Sequence, residues 1–264
     1  MTTMQRLRRL AIILLIPVVI TAGLLVFGPG IREWYILRDY TPPTEISQLA
    51  TQTTMTDQAR RLFYLNRPQV QDRSEFNASC EGAGGEHTIV LGCYHSPQRG
   101  IFVFSVTDTQ LKGVEQVTAA HEMLHAAYDR LSRSDRQRID GLLVDYYQHD
   151  LKDERIKRVM DLYKRSAPDD LPNEMHSIFG TEVGDLPEEL EDYYRTYFTS
   201  RQTVVGFSRQ YQAAFTKRQD QIEAYDARLT QLEAQIKVNQ TSLNQQAASL
   251  QADRARVASS GDQE

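Results

Sequence analysis

The sequence predicts an α+β, mostly helical domain with a small antiparallel hairpin, preceded by a transmembrane helix and followed by a coiled coil. Three observations predict this. An uncharged apolar run fills residues 10–27. One β-rich patch, residues 87–107, stands among patterns of helical period. Ile222, Leu229, Ile236, Leu243, Leu250 and Val257 recur every seven residues near the carboxyl end.

The apolar run follows Arg6, Arg8 and Arg9 and is broken only by Pro17, Thr21 and Gly23. As a helix it covers roughly 27 Å, enough to cross a hydrocarbon core. Leu24, Leu25, Val26 and Phe27 continue it past the small-residue patch Thr21-Ala22-Gly23, as an uncleaved anchor does and a cleaved signal does not. With the arginines on the short amino-terminal side, the expected topology is single-pass in the cell membrane. The amino terminus is cytoplasmic and the rest extracytoplasmic. The expected domains are tail and anchor in 1–30, a linker with Pro42 and Pro43 in 31–54, one folded domain in 55–204, and a coiled-coil helix with a frayed tail in 205–264.

Composition agrees with that plan. Cys80 and Cys93 are the only cysteines; they flank a Gly-rich stretch and lack CxxC spacing, which favours a disulfide over a ligand pair. Closing so short a loop contributes on the order of 3 kcal/mol. The chain has 30 basic and 35 acidic residues, and without the three anchor arginines 27 face 35. Basic residues are interspersed, so nucleic acid is not an expected partner. About 175 residues between anchor and carboxyl-terminal helix suffice for one real core.

In order, residues 57–66 read as a short helix with Ala59, Leu62, Phe63 and Leu65 inward, stopped before Pro68. Residues 87–94 and 101–107 read as a hairpin turning through Ser96-Pro97-Gln98-Arg99-Gly100. Its second strand, Ile101-Phe102-Val103-Phe104-Ser105-Val106, is the expected edge to which an extended peptide could add. Residues 113–131 form an amphipathic helix with Val114, Val117, His121, Leu124, Tyr128 and Leu131 on its apolar side. Helices follow at 134–148 (Ile139, Leu142, Leu143, Tyr146) and 153–165 (Ile156, Met160, Tyr163). A short one at 172–179 has Asp169 or Asp170 as cap and Gly180 as its stop, and another spans 186–201 with Tyr193, Tyr194, Tyr197 and Phe198 on one face. The carboxyl-terminal seam is half polar: Tyr225 and Leu232 are apolar, whereas Asn239, Gln246 and Asp253 are not. That suits a modest association, either a homodimer, docking on the domain, or another coiled-coil protein.

The segment richest in chemistry is His121-Glu122-Met123-Leu124-His125. One turn separates the imidazoles, so both face one metal ion, and Glu122, rotated by about 100°, can serve a water without being a ligand. A lone histidine on an apolar face is usually a core residue satisfied by local hydrogen bonds. Two at this spacing with an inward glutamate between them call for zinc. A third ligand must come from downstream, where Glu174, His176 and Glu182 are the candidates. Glu174 and His176 lie about 200° apart on one helix and cannot both face the ion.

Here the sequence resembles the gluzincin class of zinc metallopeptidases, in which a glutamate on a later helix completes the site. Asn173-Glu174-Met175-His176-Ser177 is similar to that segment. The resemblance implies a zincin-like domain with His121, His125 and Glu174 as zinc ligands and Glu122 as general base. It also implies a Tyr or His that stabilises the oxyanion, for which Tyr193, Tyr194, Tyr197 and His176 are available. No glycine-containing HExxHxxGxxH extension follows, which departs from the metzincin pattern. Asp185 and Glu182 are available as second partners of the ligand histidines. The expected function is therefore a membrane-anchored extracytoplasmic zinc endopeptidase acting on a peptide or protein substrate. The alternatives are an anchored coiled-coil scaffold with a structural or vestigial metal site, and hydrolysis of a non-peptide amide in the cell envelope.

Overall fold

The structure, a computed structural model, describes Thr21, Gly28 and residues 30–81 and 91–261. The expected anchor, residues 10–27, lies outside the described residues apart from Thr21. Among the described residues no helix is long and apolar enough to cross a membrane. The chain divides into two units, one ending at Tyr211 and one beginning at Gln212.

The first unit is mostly helical with one small sheet. Its helices from residue 44 on include α1 (Thr44–Gln52), α2 (Asp57–Leu65), α3 (Arg73–Ser79), α4 (Val114–Tyr128), α5 (Arg133–His149), α6 (Glu154–Ser166), α7 (Leu171–Glu182) and α8 (Glu188–Tyr194). Several starts follow from local chemistry: the side chains of Thr56, Asp72, Ser132 and Asp153 accept hydrogen bonds from the first-turn amides of α2, α3, α5 and α6. Helix α1 carries Ile46, Leu49 and Ala50 into the core, so the packed domain reaches back into the segment read as a linker.

Strands β1 (Gln69–Gln71), β2 (Gly92–His95) and β3 (Gly100–Phe104) form a sheet in the order β1-β3-β2. The hairpin is present, though residues 87–90 of its first strand lie outside the described residues. β3 is not the edge expected from the sequence. It pairs antiparallel with β2 and parallel with β1, so both its sides are occupied. β1 was invisible because Gln-Val-Gln is too short to show alternation.

The core is built around α4, which is buried on nearly every face rather than along one stripe. It packs most closely on α7, and Gly180 explains how. Gly180 does not stop α7 but lies inside it; a Cβ there would come within 2.5 Å of Leu124 and 2.7 Å of Tyr194. The helix expected across 186–201 is interrupted after Tyr194 for an equally physical reason. Thr56 N donates to Tyr197 O, Thr199 N donates to Thr54 O, and Met55 forms a β-bridge with Phe198. Backbone pairing with residues 54–56 outweighs the helical propensity of 195–200.

Helix α9 (Arg201–Gly261) begins in the first unit, where Val204, Val205 and Ser208 are buried. The second unit is the helical remainder from Gln212, on which Ile222, Leu229, Ile236, Leu243, Leu250 and Val257 are all exposed.

Candidate metal centre

His121 and His125 project from the same side of α4, with their Nε2 atoms 3.0 Å apart. Glu174, in the first turn of α7, brings Oε1 to 3.7 Å from His125 Nε2 and Oε2 to 3.8 Å from His121 Nε2. The three residues form a group that could hold a metal ion, with donor atoms all within 4.8 Å of one another. A tetrahedral ion with ligand bonds near 2.1 Å has edges of roughly 3.4 Å, so these separations bracket what it requires.

The hydrogen bonds around the triad agree with that fit. Asn173 Nδ2 donates to Asp170 Oδ1 at 3.0 Å, which orients the amide and turns its oxygen toward His125. His125 Nδ1 donates to Asn173 Oδ1 at 2.9 Å, so Nε2 carries the lone pair that faces the other two donors. Glu174 Oε2 is buried with no hydrogen-bond partner, the state expected of an oxygen reserved for a cation. Burial drives the His121 imidazole well below its usual pKa, and the nearby His125 and His176 add to this. Burial also lowers His125, but Glu174, Glu122 and the Asn173 bond outweigh it and its pKa is raised. Burial raises the Glu174 carboxyl, against the opposing pull of His125.

Glu122 is buried beside this triad, and burial pushes its carboxyl up to about 7, with His125 pulling it down and Glu174 raising it further. Its position depends on Gly92 of β2. A Cβ at residue 92 would lie 2.4 Å from Thr118 Cγ2 and 2.7 Å from Glu122 Oε1, so only glycine lets the strand run this close to α4. The cleft over the triad encloses about 580 Å³ and is lined by Gly92 and Tyr94 of β2, His121, Glu122 and His125 of α4, and Glu174 of α7, among others.

Among the described residues β2, not β3, is the edge beside the cleft. Phe104 N donates to Leu91 O, which with the register fixes Cys93 and His95 as the residues bonded to β3. The backbone groups of Gly92 and Tyr94 therefore point away from β3. The Tyr94 hydroxyl donates to Asp129 Oδ2 at 3.1 Å, and Ser96 Oγ donates to the same oxygen, tying the hairpin to the end of α4. The Cys80–Cys93 disulfide is formed, with Cα atoms 5.9 Å apart, and joins β2 to the end of α3.

The other expected candidates lie elsewhere. His176 points away from the triad, fully buried, with Nε2 at 2.7 Å from the Tyr193 hydroxyl and the rings of Tyr128, Tyr193, Tyr194 and Tyr197 around it. Those tyrosines expected as oxyanion donors are thus packing partners of His176. Glu182 reaches the cleft wall but forms an ion pair with Arg155 at 2.9 Å. Asp185 offers its backbone carbonyl to the Tyr146 hydroxyl. Two residues were missed. Asn173, not Asp185 or Glu182, orients His125; its place directly before Glu174 was the available signal. Tyr163 lines the cleft beside Glu174, its phenol held far above its usual pKa by burial and by that carboxylate; at core spacing on α6 it read as packing.

Compared with known protein families, curated proteins and solved structures, the chain matches none.

Proposed function

We propose that this chain is a zinc-dependent endopeptidase, anchored by residues 10–27 with its catalytic domain on the extracytoplasmic side. The observation that carries the reading is the joining of an HExxH helix and Glu174 into a three-donor group on the floor of a cleft, with Glu122 beside it. Catalytic zinc sites use three protein ligands and keep one position open, whereas structural sites fill all four. Among the described residues the group has three members, which favours catalysis over the structural-metal scaffold. The disulfide supports an oxidising compartment.

A zinc ion held here would supply Lewis-acid polarisation of a water and of the scissile carbonyl. Glu122 takes a proton from the attacking water on a carboxylate oxygen and returns it to the leaving amine nitrogen as the C–N bond breaks. The outward backbone groups of Gly92 and Tyr94 hold the substrate extended along β2, which fixes the carbonyl over the triad. The Tyr163 phenol, which lines the cleft beside Glu174, donates a hydrogen bond toward the oxygen that gains charge.

The test uses the full chain in detergent with a mixture of unstructured peptides. Cleavage is expected, lost on adding a zinc chelator with the helical circular dichroism unchanged, and restored by zinc. Peptides left intact by the zinc-loaded chain, or a fold that collapses on chelation, would point to a structural ion instead.

A further inference from the structure

We propose that the second unit pairs with a second copy of itself as a parallel, in-register two-stranded coiled coil. This rests on the carboxyl-terminal helix alone and not on the metal centre. On the helix from Gln212, Ile222, Leu229, Ile236, Leu243, Leu250 and Val257 occupy one heptad position, and all are exposed, from 57% at Leu250 to 73% at Val257. The position three residues on holds Tyr225, Leu232, Asn239, Gln246 and Asp253. A water-facing stripe of this regularity is stable only when covered.

Charge and layer order identify what covers it. In a parallel pair each residue preceding a first-seam position faces the partner's residue five further on. That sets Arg228 against Glu233 twice across the symmetric interface. The remaining pairs of this kind, Gln221 with Asp226, Gln235 with Gln240, Ser242 with Ala247, Ser249 with Arg254 and Arg256 with Gly261, include no like charges. Aligned copies also stack like on like: every first-seam layer is apolar, and the polar layers at Asn239 and Gln246 meet their own kind. Asp253 is the one charged layer; Arg256 of its own helix lies 3.5 Å away, and Arg254 of the partner flanks it. Reversing one copy also gives an attractive pair, Asp226 with Arg254, but it places Ile222 against Asp253, Leu229 against Gln246 and Ile236 against Asn239. Burying those polar groups against aliphatic side chains without partners makes the antiparallel arrangement the worse one. β-branched Ile222, Ile236 and Val257 at the first seam position favour two strands.

The experiment uses the full chain in detergent, where Cys80 and Cys93 are already bonded to each other. Light scattering should give the protein mass of two chains. Under mild oxidation the L243C chain should be trapped as a covalent dimer. An A248C chain, its cysteine on the opposite face, should stay single, and adding Leu229→Glu and Leu250→Glu should abolish both the trapping and the doubled mass. A single-chain mass at every concentration, or L243C trapped no faster than A248C, would overturn the proposal. Trapping found only when I236C and N239C chains are mixed would overturn it too, since that layer forms only between antiparallel copies.

Discussion

Under the proposed function, replacing Glu122 by Gln should leave the metal bound and lower kcat/KM by about 10²–10⁴-fold. The amide is nearly isosteric with the carboxylate and fits beneath Gly92 beside Thr118, so the strand and helix need not part. What disappears is the group that accepts a proton from the attacking water. The metal should stay because the group that could hold it consists of His121, His125 and Glu174, without Glu122. The measurement is the specific activity of metal-loaded E122Q with its metal content determined on the same sample. Loss of the ion would make Glu122 a ligand and void its role as base. The substitution should also raise the melting temperature of the metal-free chain at pH 8. Burial lifts the folded-state carboxyl to about 7 from an ordinary 4.5, so ionising it above that range weighs against the folded state. An amide does not ionise.

The second large effect is on stability. Arg201 is only 4% exposed at the start of α9, and its guanidinium donates to Phe179 O at 3.2 Å, to Gly184 O at 2.9 Å and to Val183 O while pairing with Glu191. It thus satisfies the carboxyl-terminal carbonyls of α7, the helix that carries Glu174. Arg201→Met keeps most of the volume but takes the guanidinium from Phe179 O, Val183 O and the Glu191 carboxylate, while Gly184 O keeps the Gln202 amide at 2.6 Å. Breaking such a pair from one side costs about 3 kcal/mol, the low end of the buried range because Glu191 keeps some contact with water. For a domain of this size that corresponds to a fall in melting temperature of roughly 6–12 °C. Arg201→Lys should recover only part, since one ammonium cannot serve four acceptors. Thermal denaturation followed by circular dichroism checks both; a shift below about 2 °C for Arg201→Met would mean that water replaces the guanidinium freely.

What could be read from the sequence was whatever depends on short-range spacing. One turn between His121 and His125 and the inward Glu122 follow from helical periodicity, which also separates Glu174 from His176 by about 200° on α7; the choice of Glu174 between them came from the gluzincin resemblance. The Cys80–Cys93 bridge followed from cysteine count and spacing. Tertiary events escaped it. Which strand forms the edge depended on β1, whose three residues carry no pattern and pair only through β3. The break after Tyr194 is imposed by residues 54–56, some 140 positions earlier in the chain. Gly180 has the signature of a helix stop but serves to let α7 approach Leu124. Tyr163 could not be separated from core residues, because a side chain at core spacing and one lining a cleft cut into that core look alike.

The central claim is that His121, His125 and Glu174 hold one zinc ion with a position left open. The most direct measurement is metal content and X-ray absorption geometry of the purified full chain, taken for wild type, Glu174→Ala, Asn173→Ala and Glu182→Ala. One zinc per wild-type chain with two imidazoles and otherwise oxygen donors is expected, and the same in Glu182→Ala. Zinc should bind about 10–100-fold more weakly in Asn173→Ala, where His125 loses the partner that orients it, and be lost in Glu174→Ala. No zinc in the wild-type chain, or zinc retained at full affinity without Glu174, would contradict it.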